Sequence, residues 1–131
     1  MEEFQEMFQS ADWKEEKHVP VIDIGDKKKK GEIINVRVCI GKEVAHPNTT
    51  EHHIRYIELY FKPENGKFPC NLGRVEFNAH GESAEGPDTS TVYTHHDACF
   101  SFKTEKNGVL YAVSYCNIHG LWKNQEKLEL E

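Results

Sequence analysis

Ile34, Val36, Val38 and Ile40 alternate with Asn35, Arg37 and Cys39. A period of two sends every second side chain to one face, which is the pattern of a half-buried β-strand. The same reading applies to Ile54 to Phe61, rich in aromatic and branched residues, and to Val75, Phe77 and Ala79. Phe100 and Phe102 mark another run, and Val109 to Tyr115 a further one. Val19-Pro20-Val21-Ile22 and Leu128-Glu129-Leu130 are shorter candidates. Turn signals separate these runs at Gly31, Pro47-Asn48, Pro63-Glu64-Asn65-Gly66, Gly86-Pro87-Asp88 and Asn107-Gly108. Asn107-Gly108 is the clearest hairpin signal, because both residues tolerate positive φ. About seven such strands predict an all-β fold, an immunoglobulin-like antiparallel β-sandwich. Ahead of it, Phe4, Met7 and Phe8 at helical spacing predict a short amphipathic helix docked on the core. Asp12 and Glu15 have the spacing of a capping box for another turn.

The 131 residues suit one domain over 1–131, since single cores commonly serve ~100–150 residues. No internal repeat, low-complexity tract or linker divides them. The net charge of −6 argues against a nucleic-acid binder. The one basic run, Lys27 to Lys30 beside Gly31, reads as a solvated turn. No stretch approaches the ~20 apolar residues of a membrane helix. The start, Met1-Glu2-Glu3-Phe4, lacks the basic-then-apolar order of a secretory signal, so a cytoplasmic location is expected. Cys39, Cys70, Cys99 and Cys116 show no framework spacing. In a reducing compartment they are expected as free thiols, or as one thiolate on a metal.

Eight histidines in so short a chain raise the prospect of a metal, but spacing has to decide. In Tyr115-Cys116-Asn117-Ile118-His119-Gly120, Cys116 ends a predicted strand and His119 follows in a tight turn. Sulfur and imidazole so placed can meet one ion, and the pair suits iron, copper or zinc. In the second cluster, His46-Pro47-Asn48-Thr49-Thr50-Glu51-His52-His53, Pro47 biases His46 toward extended backbone. Adjacent strand residues point to opposite faces, so one of His52 and His53 is expected to be structural. The third segment, Glu15-Glu16-Lys17-His18-Val19-Pro20, gathers acid, base and imidazole before a short strand.

Together these segments resemble the superoxide reductase family, which includes neelaredoxin and the catalytic domain of desulfoferrodoxin. Glu16-Lys17-His18-Val19-Pro20, His46-Pro47-Asn48 through His52, and Cys116-Asn117-Ile118-His119-Gly120 carry the resemblance. Phe77-Asn78-Ala79-His80-Gly81-Glu82 is also similar to the family, and the likeness runs from about Lys14 to Trp122.

The resemblance implies one iron per chain, with His18, His46, His52 and His119 in a plane and Cys116 as axial ligand. It implies that Glu16 and Lys17 are a mobile pair over an open sixth position, where the glutamate closes onto ferric iron and the lysine draws in and helps protonate the substrate. His53 falls where the family also accepts tyrosine and is left out, and His80, His95 and His96 match no ligand position. The expected activity is one-electron reduction of superoxide to hydrogen peroxide. Electrons are expected from a rubredoxin-like carrier, and the family implies a homo-oligomer, a tetramer. Cys39, Cys70 and Cys99 are expected to be buried, inert thiols. Two other readings remain at this point: a blue-copper-like electron carrier and a non-catalytic metal-binding β-sandwich module. The first wants an axial methionine after the Cys-His loop, whereas the only methionines are Met1 and Met7.

Overall fold

A computed structural model describes residues 2–131. Its strands are β1 (Phe8–Gln9), β2 (Val21–Ile24), β3 (Ile34–Cys39), β4 (Ile54–Pro63), β5 (Cys70–Glu76), β6 (Asp97–Phe102), β7 (Gly108–Cys116) and β8 (Gly120–Leu128). One sheet has the order β1-β8-β7-β4-β5 and the other β2-β3-β6. The two face each other as an immunoglobulin-like sandwich, antiparallel throughout except where the two-residue β1 pairs parallel to β8.

Alternation makes the core. On β3, Ile34, Val36 and Val38 are buried and Asn35 and Arg37 are exposed. From the opposite sheet come Ile57, Leu59, Phe61, Leu110 and Ala112, joined by Ala98, Phe100 and Leu128 in one continuous apolar cluster. Each such side chain contributes about 1.5–3 kcal/mol when fully buried, so the interior holds the sandwich together and leaves its ends free for other work.

Four expectations need correcting. The helix α1 (Glu2–Glu6) exists but buries nothing; Phe4 and Met7 are 62% and 53% exposed, and Phe8 belongs to β1. Asp12 does cap a turn, but not as a capping box: its carboxylate accepts from the Lys14 N–H at 3.0 Å, and the Glu15 N–H goes to the Asp12 carbonyl. β5 starts at Cys70 and ends at Glu76, so Phe77 and Ala79 lie beyond it. Asn107-Gly108 joins β6 to β7, which lie in different sheets, and neither residue has positive φ. Gly108 is needed for another reason: a Cβ there would run into the Lys62 carbonyl. The tight hairpin is instead Cys116 to Gly120, where Gly120 adopts φ 81° after a three-residue loop.

The pairings define one end of the sandwich. Val21 at the start of β2 lies opposite Cys39 at the end of β3. In the other sheet, Ile54 at the start of β4 and Gly120 at the start of β8 both lie opposite Cys116 at the end of β7. The loops leaving these five positions carry every candidate ligand.

Candidate metal centre

His18 stands just before β2, His46 and His52 lie in the loop from β3 to β4, Cys116 ends β7, and His119 sits in the β7–β8 hairpin. One ligand atom each from His18, His52, Cys116 and His119 lie within 4.8 Å of one another. His119 Nδ1 is the shared corner. It lies 3.1 Å from His18 Nε2, 3.2 Å from His52 Nε2 and 3.9 Å from Cys116 Sγ. Neighbouring nitrogens on one ion with ~2 Å bonds stand about 3 Å apart, which is the spacing seen.

His46 lies outside that compact group but faces it. Its ring centroid is 4.8 Å from those of both His18 and His52, with interplanar angles of 78° to each. His119 is 4.7 and 4.9 Å from the same two rings, and His18 and His52 are 6.3 Å apart. That separation is close to the diagonal of a square with such sides. His46 and His119 each stand about equally far from both rings of that pair.

Each tautomer is set from behind. The Glu16 carboxylate lies 2.7 Å from His18 Nδ1 and also accepts the His18 backbone N–H at 3.1 Å. A carboxylate only accepts, so Nδ1 carries the proton and Nε2 presents a lone pair. The Pro47 carbonyl does the same for His46 at 2.6 Å. His46 Nε2 is then buried without any hydrogen-bond partner. A buried acceptor left so costs about 1–3 kcal/mol, and a metal ion removes the penalty. The donor set of imidazoles plus a buried thiol suits a transition metal.

Ligation requires neutral imidazole, and burial works against protonation of His18, His46 and His52. It pushes His46 down to about 3 and lowers His52, where positive charge on His119 would act the same way. For His18, burial lowers the pKa against the opposing pull of Glu16. Partial burial works to raise the Glu16 carboxyl, but the His18 hydrogen bonds prevail and hold it below the usual carboxylate range. Cys116 is fully buried, and its sulfur accepts the His119 backbone N–H at 3.3 Å.

The loops are fixed by specific side chains. Trp122 stacks on His18 at 4.9 Å and 14°, and its indole N–H donates to the His119 carbonyl at 3.2 Å. Asn124 donates to the Pro20 carbonyl at 2.9 Å. Gly41, at φ 76°, admits the His46 loop, since a Cβ there would lie 2.7 Å from His46 N. A bulge at Arg55 interrupts the β4–β7 register beside the site. Trp122 and Asn124 were not singled out from sequence, because β8 reads as a polar run.

His52 and His53 diverge. His52 is half-buried and meets His119, while His53 is buried and internally satisfied. His53 Nδ1 donates to the Thr49 carbonyl at 2.9 Å, Nε2 accepts from Arg55 Nε at 2.9 Å, and the ring stacks on His80 at 3.4 Å. His96 is buried beside His46, with centroids 5.7 Å apart, and His95 is exposed. Lys17 is half-buried and takes part in none of the ion pairs among the described residues. Glu16 is occupied with His18. Met7, exposed in the N-terminal segment, offers no axial sulfur for a blue-copper site.

The fold and the donor set define a β-sandwich protein with a mononuclear histidine–thiolate metal centre. The desulfoferrodoxin family profile matches residues 10–125. The superoxide reductase of Pyrococcus furiosus is 61% identical over 124 residues, covering 95% of this chain and 98% of that one. Neelaredoxin of Megalodesulfovibrio gigas is 53% identical over 126 residues, covering 96% and 97%. The solved superoxide reductase (neelaredoxin) of Archaeoglobus fulgidus in the reduced form superposes with a TM-score of 0.90 at 58% identity, covering 95% of this chain and 99% of that one. The chain belongs to the desulfoferrodoxin family, in its superoxide reductase and neelaredoxin branch.

Proposed function

We infer that the chain is an iron-dependent superoxide reductase: superoxide plus one electron and two protons gives hydrogen peroxide. The observation that carries the reading is the convergence of His18, His52, Cys116 and His119 on one point, with the orphaned Nε2 of His46 beside it. We assign all five as the ligands of one iron. Bound there, iron supplies the single electron and a position open to the substrate. The residues around it do the rest. Glu16 holds the His18 tautomer, and the His119 N–H bond to sulfur tempers the charge on the Cys116 thiolate. Lys17, half-buried beside the site, gives a local positive field in a chain of net charge −6. It is also our candidate for relaying a proton, with Glu16 the other residue assigned to catalysis.

The reading extends to four further points. Residues 1–131 form one domain, supported by a single apolar cluster running from Ile22 to Leu128. A small rubredoxin-like protein supplies electrons, docking on a rim where Ile118 is 58% exposed next to His119. The chain assembles as a homo-oligomer, a tetramer, supported by the outer face of the larger sheet. There Tyr56 lies opposite Tyr115 and Tyr60 opposite Tyr111, flanked by Val109 and Val113, and large aromatic faces of this kind favour protein contacts. The location is cytoplasmic, in keeping with four free cysteines.

The test is Cys116→Ser. It should abolish the thiolate-to-iron absorption of the oxidised protein and its superoxide-dependent oxidation. Retention of that absorption would remove Cys116 from the ligand set, and a wild-type chain that binds no iron would remove the function.

A further inference from the structure

Asn117 stands between two assigned ligands, Cys116 and His119, yet all its hydrogen bonds go to a different loop. Its side-chain Oδ1 accepts the His53 backbone N–H at 2.9 Å. Its Nδ2 donates to the Glu51 carbonyl at 2.8 Å. Its own backbone N–H donates to the His53 carbonyl at 3.2 Å. These partners are the residues on either side of His52.

We propose that Asn117 is a positioning residue for His52, its side-chain amide locking the peptides on both sides of that ligand to the loop that carries Cys116 and His119. The β4–β7 ladder ends at Ile54 opposite Cys116, so residues 50–53 have no strand partner of their own. The 49–52 turn closes on itself, Thr49 N–H donating to the His52 carbonyl at 2.9 Å and the His52 N–H to Thr49 Oγ1 at 3.0 Å. A closed turn still has to be oriented against the rest of the site. An amide offers one donor and one acceptor in one plane, and here it meets one carbonyl and one N–H as a strand's peptide would. A carboxylate of the same shape keeps the acceptor but turns a second oxygen on the Glu51 carbonyl. The distance under control is the 3.2 Å between His119 Nδ1 and His52 Nε2, since Asn117 ties the backbones of both.

The proposal rests on the assignment of His52 as a ligand, and the experiment separates the two. Cobalt(II) is titrated into the metal-free chain, with thiolate-to-cobalt absorption reporting affinity and the ligand-field bands reporting coordination. Wild type, Asn117→Ala, His52→Ala and the double variant form a cycle. Asn117→Ala should lower affinity about tenfold, in the range for partners that orient ligands, and should shift the ligand-field bands toward those of His52→Ala. In the His52→Ala background it should change affinity less than about twofold. Equal losses in both backgrounds, or unchanged affinity and bands in the single variant, would overturn the proposal. A His52→Ala chain that binds cobalt as wild type does would instead overturn the ligand assignment. Should Asn117→Ala fail to fold, Asn117→Asp, which keeps the bond to the His53 N–H, is expected to follow the same cycle with a smaller loss and is judged by the same outcomes.

Discussion

Replacing His52 and His53 one at a time should produce opposite failures. His53 is 4% exposed and has both ring nitrogens satisfied, by Thr49 and by Arg55. Truncation to alanine removes two hydrogen bonds, each worth about 1 kcal/mol net. It also removes a ring stacked 3.4 Å from His80, and such aromatic pairing adds about 0.5–1.5 kcal/mol. The metal-free His53→Ala chain should therefore lose about 3 kcal/mol of stability while binding iron near the wild-type level. His52 is half-buried, and its ring nitrogen meets only His119. Metal-free His52→Ala should stay within about 0.5 kcal/mol of wild type, as surface substitutions do, yet hold well under one iron per chain. Urea unfolding of the metal-free proteins and iron analysis of the loaded ones measure the two axes independently. A His53→Ala protein with unchanged stability and lost iron would refute the reasoning, because the bonds that mark His53 as structural would then carry no weight.

Three other outcomes follow from the same structure. Lys17→Ala should keep iron and fold but lower the second-order rate with superoxide about tenfold and flatten its salt dependence, with Lys17→Arg recovering part; pulse radiolysis across a salt series measures this. Cys70 and Cys99 are exposed rather than buried as expected, so Cys70→Ser and Cys99→Ser should be silent, whereas Cys39→Ser at a site 6% exposed should lower the unfolding midpoint, with iron and activity retained throughout. Burial holds His96 down to about 4, so as pH falls from about 6.5 the unfolded chain takes up that proton first and stability declines until about pH 4. His96→Phe should remove up to about 3 kcal/mol of that acid-side decline, seen as a flatter denaturation midpoint against pH in the metal-free protein.

The alternation of Ile34, Val36 and Val38 was legible because one face of β3 is core and the other is solvent. β8 was not legible: only Trp122 and Leu128 of Gly120–Leu128 are buried, so a nine-residue strand next to the central β7 reads as a polar run. Asn107-Gly108 misled for a related reason. The dipeptide permits a hairpin, but here the chain changes sheets, and the glycine answers to the Lys62 carbonyl rather than to a turn. The helix spacing of Phe4 and Met7 was real but had nothing to pack on. The proposed ligand residues stood out by type and order. What holds them did not, because Trp122 over His18 and Asn124 on the Pro20 carbonyl are contacts made only once the loops are folded.

That division follows from where the centre sits. His18 and His46 hang from the ends of β2 and β3, in one sheet, and His52, Cys116 and His119 from β4, β7 and β8 in the other. An ion held by all five ties the two sheets at one end, beyond the reach of the apolar cluster that ties them in the middle. Its binding free energy is therefore partly folding free energy, and the loaded protein gains stability as a ligand that binds only the folded state confers it. Groups outside the ligand set also aim the rings. The Glu16 carboxylate and the Pro47 carbonyl fix two tautomers, and burial lowers the pKa of His18, His46 and His52. The buried His46 Nε2 has no hydrogen-bond partner, so an ion that takes its lone pair returns about 1–3 kcal/mol to the folded state.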